Sequence, residues 1–271
     1  IWHTYSHQSG NIQANDNGDL ACDHYRRWAD DIGLMRDIGL KAYRFSISWP
    51  RILPAGHGRI NQAGLGFYDR LVDGLCEAGI EPMATLYHWD LPQALEDEGG
   101  WPEEKLAAYY ADYGECVFKA LGDRVKRWIT FNEPWVFVWL GYGLGIHAPG
   151  RGDRAEALRA GHNVLRAHGM AVERLRALDA QAEVGLTLSV QAHLPASAKA
   201  ADIEAADRSD AFHNRWFIDP IRSGRYPEAM HQEFGSLMPA VSADDAALIG
   251  RPIDFIGLNY YTRQLIAEEK G

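Results

Sequence analysis

Residues 125–135, VKRWITFNEPW, run as a β-strand into an abrupt stop. Val125 to Phe131 is a short apolar run, rich in β-branched and aromatic residues, of strand length. It ends at the pair Asn132-Glu133. Pro134 cannot donate a backbone hydrogen bond, fixes its own φ, and is expected to hold Glu133 in extended geometry. The outcome is a carboxylate with a set direction, beside an amide and the face of Trp135. A carboxyl group against an apolar wall can have a raised pKa and serve as a general acid. Taken alone, a Glu before a Pro is more simply a solvated residue at a strand end. The neighbouring segments decide between the two.

Upstream, residues 1–21 are polar and turn-rich and read as loop. Asp23 caps a helix over His24 to Ile38, with Gly39 as its stop. A strand follows over Lys41 to Trp49, closed by Pro50. Then come a helix over Gln62 to Ala78, a strand over Glu81 to Trp89, and a helix over Pro102 to Leu121. Downstream of Trp135 lies a Gly- and aromatic-rich segment, then a helix over Ala155 to Leu178 and a strand over Glu183 to Val190. A helix over Asp202 to Trp216 and a last strand over Asp254 to Tyr261 complete the order. No repeat or linker interrupts it, so residues 1–271 read as one domain.

Alternating strands and helices with continuous apolar strands imply a parallel sheet covered by helices, an α/β fold. A doubly wound open sheet and a (β/α)8 TIM barrel both fit. The open sheet would commonly place a Gly-rich phosphate loop after its first strand, and neither GxGxxG nor GxxxxGK occurs. Polar and aromatic residues gather at strand ends instead: Arg44 to Trp49, His88-Trp89, Asn132-Glu133 and Asn259 to Tyr261. Convergence of this kind marks a barrel active site. About five strands are legible where a closed barrel has eight, so the chain reads as a piece cut at both ends.

Composition narrows the classes further. The net charge of -10 disfavours nucleic acid and anionic membrane as partners. No apolar run reaches the roughly 18 residues of a membrane span. Cys22, Cys76 and Cys116 are widely spaced and odd in number, and read as reduced core thiols. With no visible signal peptide, they point to the cytoplasm. Trp28, Trp128, Trp139 and Trp216 read as packing residues. His162 and His168 share a helix without a matching ligand set, so no metal site is expected there. Asp90 reads as a cap for the turn at Leu91-Pro92 and not as a catalytic group.

Seven segments together resemble one family. They are residues 43–54 (YRFSISWPRILP), 86–95 (LYHWDLPQAL), 128–135 (WITFNEPW), 141–150 (GYGLGIHAPG), 212–220 (FHNRWFIDP), 224–228 (GRYPE) and 252–261 (PIDFIGLNYY). In order and spacing they are similar to the family 1 glycoside hydrolases of the β-glucosidase type. The resemblance implies a (β/α)8 barrel and retaining hydrolysis of β-glycosides, with no metal and no cofactor. The implied ligand is a small β-glucoside or short oligosaccharide. By the same resemblance, Glu133 matches the acid/base and Asn132 the residue that bonds the sugar 2-hydroxyl. His88 and Trp89 match glucose contacts. Arg44 matches the arginine paired with the nucleophile. Tyr261 matches the tyrosine that bonds the nucleophile, with Asn259 beside it, and Trp135 matches a wall of the aglycone side.

The chemistry suits these roles. Retaining cleavage needs one carboxylic acid to protonate the leaving oxygen and a second carboxylate roughly 5–5.5 Å away. A fixed hydrogen bond to the 2-hydroxyl strengthens as the oxocarbenium ion forms. A cation such as Arg44 keeps a neighbouring carboxylate ionised. Two departures stand out. The family nucleophile lies in a T/S-E-N-G motif that these 271 residues do not contain, and the first strand with its sugar-binding Gln is also missing. Two rival functions remain open, a 6-phospho-β-glucosidase of the same family and an inactive sugar-binding chain. Pro134-Trp135 resembles the non-phosphorylated branch.

Overall fold

In the computed structural model, which describes residues 1–268, the apolar runs form five strands: β1 (Ala42–Ser46), β2 (Glu81–Tyr87), β3 (Arg127–Asn132), β4 (Glu183–Pro195) and β5 (Phe255–Ile266). Residues 269–271 of the expected 1–271 unit lie outside the described residues. The strands pair in sequence order, β1-β2-β3-β4-β5, and every pairing is parallel. Helices Gln62–Glu77, Lys105–Leu121 and Arg154–Leu178 supply the crossovers. Their apolar stripes face the sheet through Leu71 and Leu75, Tyr110 and Tyr113, and Leu165 and Leu175, all buried.

The sheet is a half-barrel. In a flat sheet, strands four places apart would stand ~19 Å from each other, at ~4.8 Å per step. Yet Arg44 on β1 and Asn259 on β5 donate to the same atom, Asn132 Oδ1 on β3, at 2.6 and 3.3 Å. Only strong curling brings them together. The curl needs close strand approach at the start of β4, where a Cβ on Gly185 would collide with the Phe255 carbonyl.

Several expectations need correction. Residues 1–21 are not all loop, because Trp2–Ser6 forms a short helix that tucks Tyr5 into the interior. The first strand stops at Ser46, since Trp49 and Pro50 open a short helix whose buried indole donates to the Gly56 carbonyl at 3.0 Å. Strands β4 and β5 run longer than expected. Beyond an irregularity at Val190/Ala192 they continue as a ribbon pairing Ala192–Pro195 with Arg263–Ile266. Asn259 and Tyr261 therefore sit mid-strand and not at a strand end. Cys22 and Cys76 are exposed and Cys116 half-buried, so the three are not core thiols. Trp128, Trp139 and Trp216 are buried and Trp28 packs at the core edge, as packing residues should.

Candidate active site

The site starts where β3 ends. Glu133 is not extended: it has φ +49°. Its amide still pairs with β4, donating to the Thr187 carbonyl at 2.7 Å, while the helical turn begins at Pro134. Proline disfavours right-handed helical geometry in the residue before it, so a left-handed residue joins strand to helix in one step. Trp89, two residues beyond the end of β2, also has positive φ, +82°. Left-handed non-glycine residues cost on the order of 1–3 kcal/mol each and concentrate at functional sites. Here one directly follows β3 and the other lies two residues beyond the neighbouring β2. They are tied together, because Trp89 Nε1 donates to the Asn132 carbonyl at 2.8 Å.

The side chains form one hydrogen-bonded cluster. Arg44 Nε donates to Thr85 Oγ1 at 3.0 Å, and its Nη2 holds Asn132 Oδ1. Asn259 Nδ2 donates to Glu133 Oε1 at 2.7 Å and, more weakly, to Asn132 Oδ1. The Tyr261 hydroxyl reaches the same Glu133 oxygen at 3.3 Å. Tyr260 faces away from that carboxylate, as strand alternation requires. Asn132 and Glu133 are both buried. With Asn132 Oδ1 occupied by two donors, its Nδ2 is left with only a long 3.4 Å contact to His88 Nε2. It is the polar group best placed to donate to a ligand.

The electrostatics match. Partial burial, then Arg44, lower the His88 pKa, so the ring is neutral and can accept from Asn132. Burial lowers the Arg44 pKa, while Glu133 and Tyr261 oppose that shift. Glu133 raises the Tyr261 pKa, which keeps the phenol protonated as a donor.

Around the cluster stand aromatic walls. Trp89 stacks on Trp2, centroids 6.5 Å apart, and lies 5.9 Å from the His147 ring. Trp135 packs at 4.3 Å against His213 and edge-on to Phe212. Trp2, His147 and His213 escape a reading by strand ends, because they come from the first turn, a loop and a helical segment remote in sequence. The motifs at 141–150 and 212–220 were the available signal for the last two. The loop holding His147 is anchored by Glu96, which accepts from Tyr142 at 2.7 Å and Arg151 at 2.8 Å. Asp90 is kept from solvent at one oxygen, and burial pushes its carboxyl up to about 6. His162 meets Tyr226 and His168 meets Thr130 Oγ1. Among the described residues neither joins a metal-ligating group.

The glycosyl hydrolase family 1 model matches residues 1–271. Beta-glucosidase A of Acetivibrio thermocellus is 49% identical over 269 residues, covering 98% of this chain and 60% of that protein. Beta-glucosidase A of Thermotoga maritima is 48% identical, covering 98% and 60%. A solved family 1 β-glucosidase from Thermotoga maritima superimposes with a TM-score of 0.96 at 48% identity, covering 98% of this chain and 60% of that one. Another structure of the Thermotoga maritima β-glucosidase, in complex with noeuromycin, gives a TM-score of 0.95 at 48% identity, with the same coverage. The chain thus spans about 60% of the length of the relatives it matches. Among the described residues, no helix is long and apolar enough to cross a membrane.

Proposed function

The chain belongs to glycosyl hydrolase family 1, and from that premise we propose that the whole protein is a retaining β-glucosidase acting on terminal β-D-glucosides such as cellobiose and aryl glucosides. Glu133 is the general acid/base. In the first step its carboxyl proton passes to the glycosidic oxygen as the nucleophilic carboxylate attacks the anomeric carbon. In the second it takes a proton from the water that releases glucose. Asn132 donates through Nδ2 to the sugar 2-hydroxyl, and Arg44 and Asn259 set that orientation by holding Oδ1. His88 and Trp89 contact the glucose, and Trp135 flanks the aglycone.

The observation that carries this reading is the buried Glu133 carboxylate on a left-handed strand end, held by donors from β5, with the Asn132 Nδ2 beside it engaged only by a long contact to His88. The family's T/S-E-N-G motif does not occur among these 271 residues.

Glu133→Ala in the full-length enzyme tests the reading. An acid matters only where the leaving group needs a proton. Cellobiose hydrolysis should fall roughly 10²–10⁴-fold. Formation of the glycosyl-enzyme from a dinitrophenyl glucoside should be spared. Deglycosylation then lacks a base, so the intermediate accumulates, and azide, which needs none, should restore turnover and give the β-azide. Loss of the burst, or an α-azide product, would make Glu133 the nucleophile.

A further inference from the structure

The described residues contain one group of His and carboxylate side chains whose ligand atoms converge, and it lies outside the polar cluster: His3, His7 and Asp19. His3 and His7 stand four residues apart across the turn Trp2–Ser6. His7 closes that helix in right-handed geometry, φ −89° and ψ −6°. The i,i+4 spacing puts both imidazoles on one face, with ring centroids 4.1 Å apart. Asp19 comes from the following loop and offers one oxygen to each ring. Oδ2 lies 3.1 Å from His7 Nε2, and Oδ1 lies 3.5 Å from His3 Nδ1. Ligands at ~2.0–2.2 Å around a single tetrahedral ion stand ~3–4 Å from each other; both His–Asp19 distances fall in that range, and all the ligand atoms lie within 4.8 Å of one another.

A second contact prepares the ring for this role. His7 Nδ1 lies 2.7 Å from the His3 carbonyl oxygen, an acceptor only. Nδ1 must therefore carry a proton, and Nε2, which faces Asp19 Oδ2, is the nitrogen left to ligate once it gives up the proton it shares with that carboxylate. Metal-bound imidazoles commonly make this backbone hydrogen bond through their other nitrogen. Asp19 is set in turn by its own amide, which donates to Asn17 Oδ1 at 3.2 Å.

We propose that His3, His7 and Asp19 bind a divalent first-row transition ion of the Zn²⁺, Ni²⁺ or Cu²⁺ type. Two imidazoles and one carboxylate suit these ions, whereas Ca²⁺ and Mg²⁺ require more oxygen ligands. All three side chains reach solvent, so the ion enters without rearrangement. It would be structural and not catalytic. By linking the first turn to Asp19 it fixes Trp2, which stacks on Trp89 and meets His147 edge-on at 5.6 Å. Binding itself depends only on the three ligands, so it stands whether or not the glucosidase reading holds.

The test uses full-length protein without an affinity tag, stripped with a chelator and titrated with Zn²⁺ or Ni²⁺ by calorimetry. Cu²⁺ is followed in parallel by electron paramagnetic resonance. One ion per chain should bind, and the Cu²⁺ spectrum should show coupling to two imidazole nitrogens. His3→Ala and His7→Ala should each weaken binding roughly tenfold or more and remove one nitrogen coupling. Asp19→Asn should weaken binding while keeping both couplings. The positions are exposed, so folding is expected to be unaffected and is checked by circular dichroism. Absence of saturable binding to the wild type, or unchanged binding to the double variant His3→Ala/His7→Ala, overturns the proposal.

Discussion

The polar cluster and the aromatic walls around it are built on different principles. In the cluster the polar atoms of Arg44, Asn132, Glu133, Asn259 and Tyr261 are linked by hydrogen bonds across three strands. In the walls the rings are held by packing, and several of their polar atoms are buried without a protein partner: Trp135 Nε1, His147 Nδ1 and His213 Nε2. A linked network resists rearrangement, and each deletion orphans a neighbour. A packed wall with spare donors can take up a water or a ligand group at little cost. The contrast can be broken by substitution on either side.

The largest effect is expected inside the network. Arg44→Met removes a charged donor and leaves Asn132 Oδ1 with only the 3.3 Å contact from Asn259. The amide is then free to turn, and its Nδ2 no longer points reliably at the substrate. A hydrogen bond to a charged group contributes ~1.5–3 kcal/mol, so kcat/KM for an aryl glucoside should fall ~10–150-fold. Arg44→Lys should recover part of this through one donor. A loss below about threefold for Arg44→Met would mean that Asn132 is held without it.

A second effect, read in stability and not in turnover, tests the scaffold under β3. His168 on the helix Arg154–Leu178 is fully buried and contacts Thr130 Oγ1 at 2.8 Å, and burial lowers its pKa to about 4. The unfolded chain has the ordinary value of ~6.5. Between the two, the unfolded state binds more protons, so stability rises with pH. The contribution is fully present above ~6.5 and is lost as pH falls toward 4. Between about pH 7 and pH 4.5 it amounts to about 2–3 kcal/mol. His168→Gln keeps a donor toward Thr130 but does not titrate. Its urea-unfolding free energy should therefore drop by about that much less than the wild type over the same interval. Equal drops would show that His168 is not held neutral in the folded protein.

The same contrast explains what the sequence disclosed. Strands β2 and β3 carry near-continuous apolar runs because both faces are covered, and an Asn-Glu or His-Trp pair interrupts such a run visibly. Eight residues were named for the site from that pattern and the family resemblance; the structure gathers six of them, Arg44, His88, Asn132, Glu133, Asn259 and Tyr261, around one amide and one carboxylate, and sets Trp89 and Trp135 in the aromatic walls. The ends of β4 and β5 were not legible. They extend by pairing with each other, and Leu258 on β5 is 66% exposed despite its apolar character. Pairing is a property of two segments some seventy residues apart and leaves no mark in either alone. The left-handed turn at Glu133 was misread for a related reason. The proline rule excludes one conformation, and the Thr187 carbonyl, a distant partner, selects among the others. Trp2 was hidden because a five-residue helix is too short to show a period.

Trp2 also gives the smallest of the expected effects, and the one that tests the wall directly. Its ring stacks on Trp89 with an interplanar angle of 30° and meets His147 edge-on, with no hydrogen bond to either. Trp89 is independently fixed through Nε1 to the Asn132 carbonyl, so losing Trp2 should loosen it without releasing it. An aromatic pair contributes ~0.5–1.5 kcal/mol beyond area burial, which limits Trp2→Ala to a ~2–12-fold change. Because the wall contacts the bound molecule in ground state and transition state alike, the change should fall on KM and leave kcat nearly constant. Steady-state kinetics on aryl glucosides with small and large aglycones would show it. A comparable loss in kcat would mean that Trp2 acts through Trp89 on the network itself, and the division between linked cluster and packed wall would no longer hold at that point.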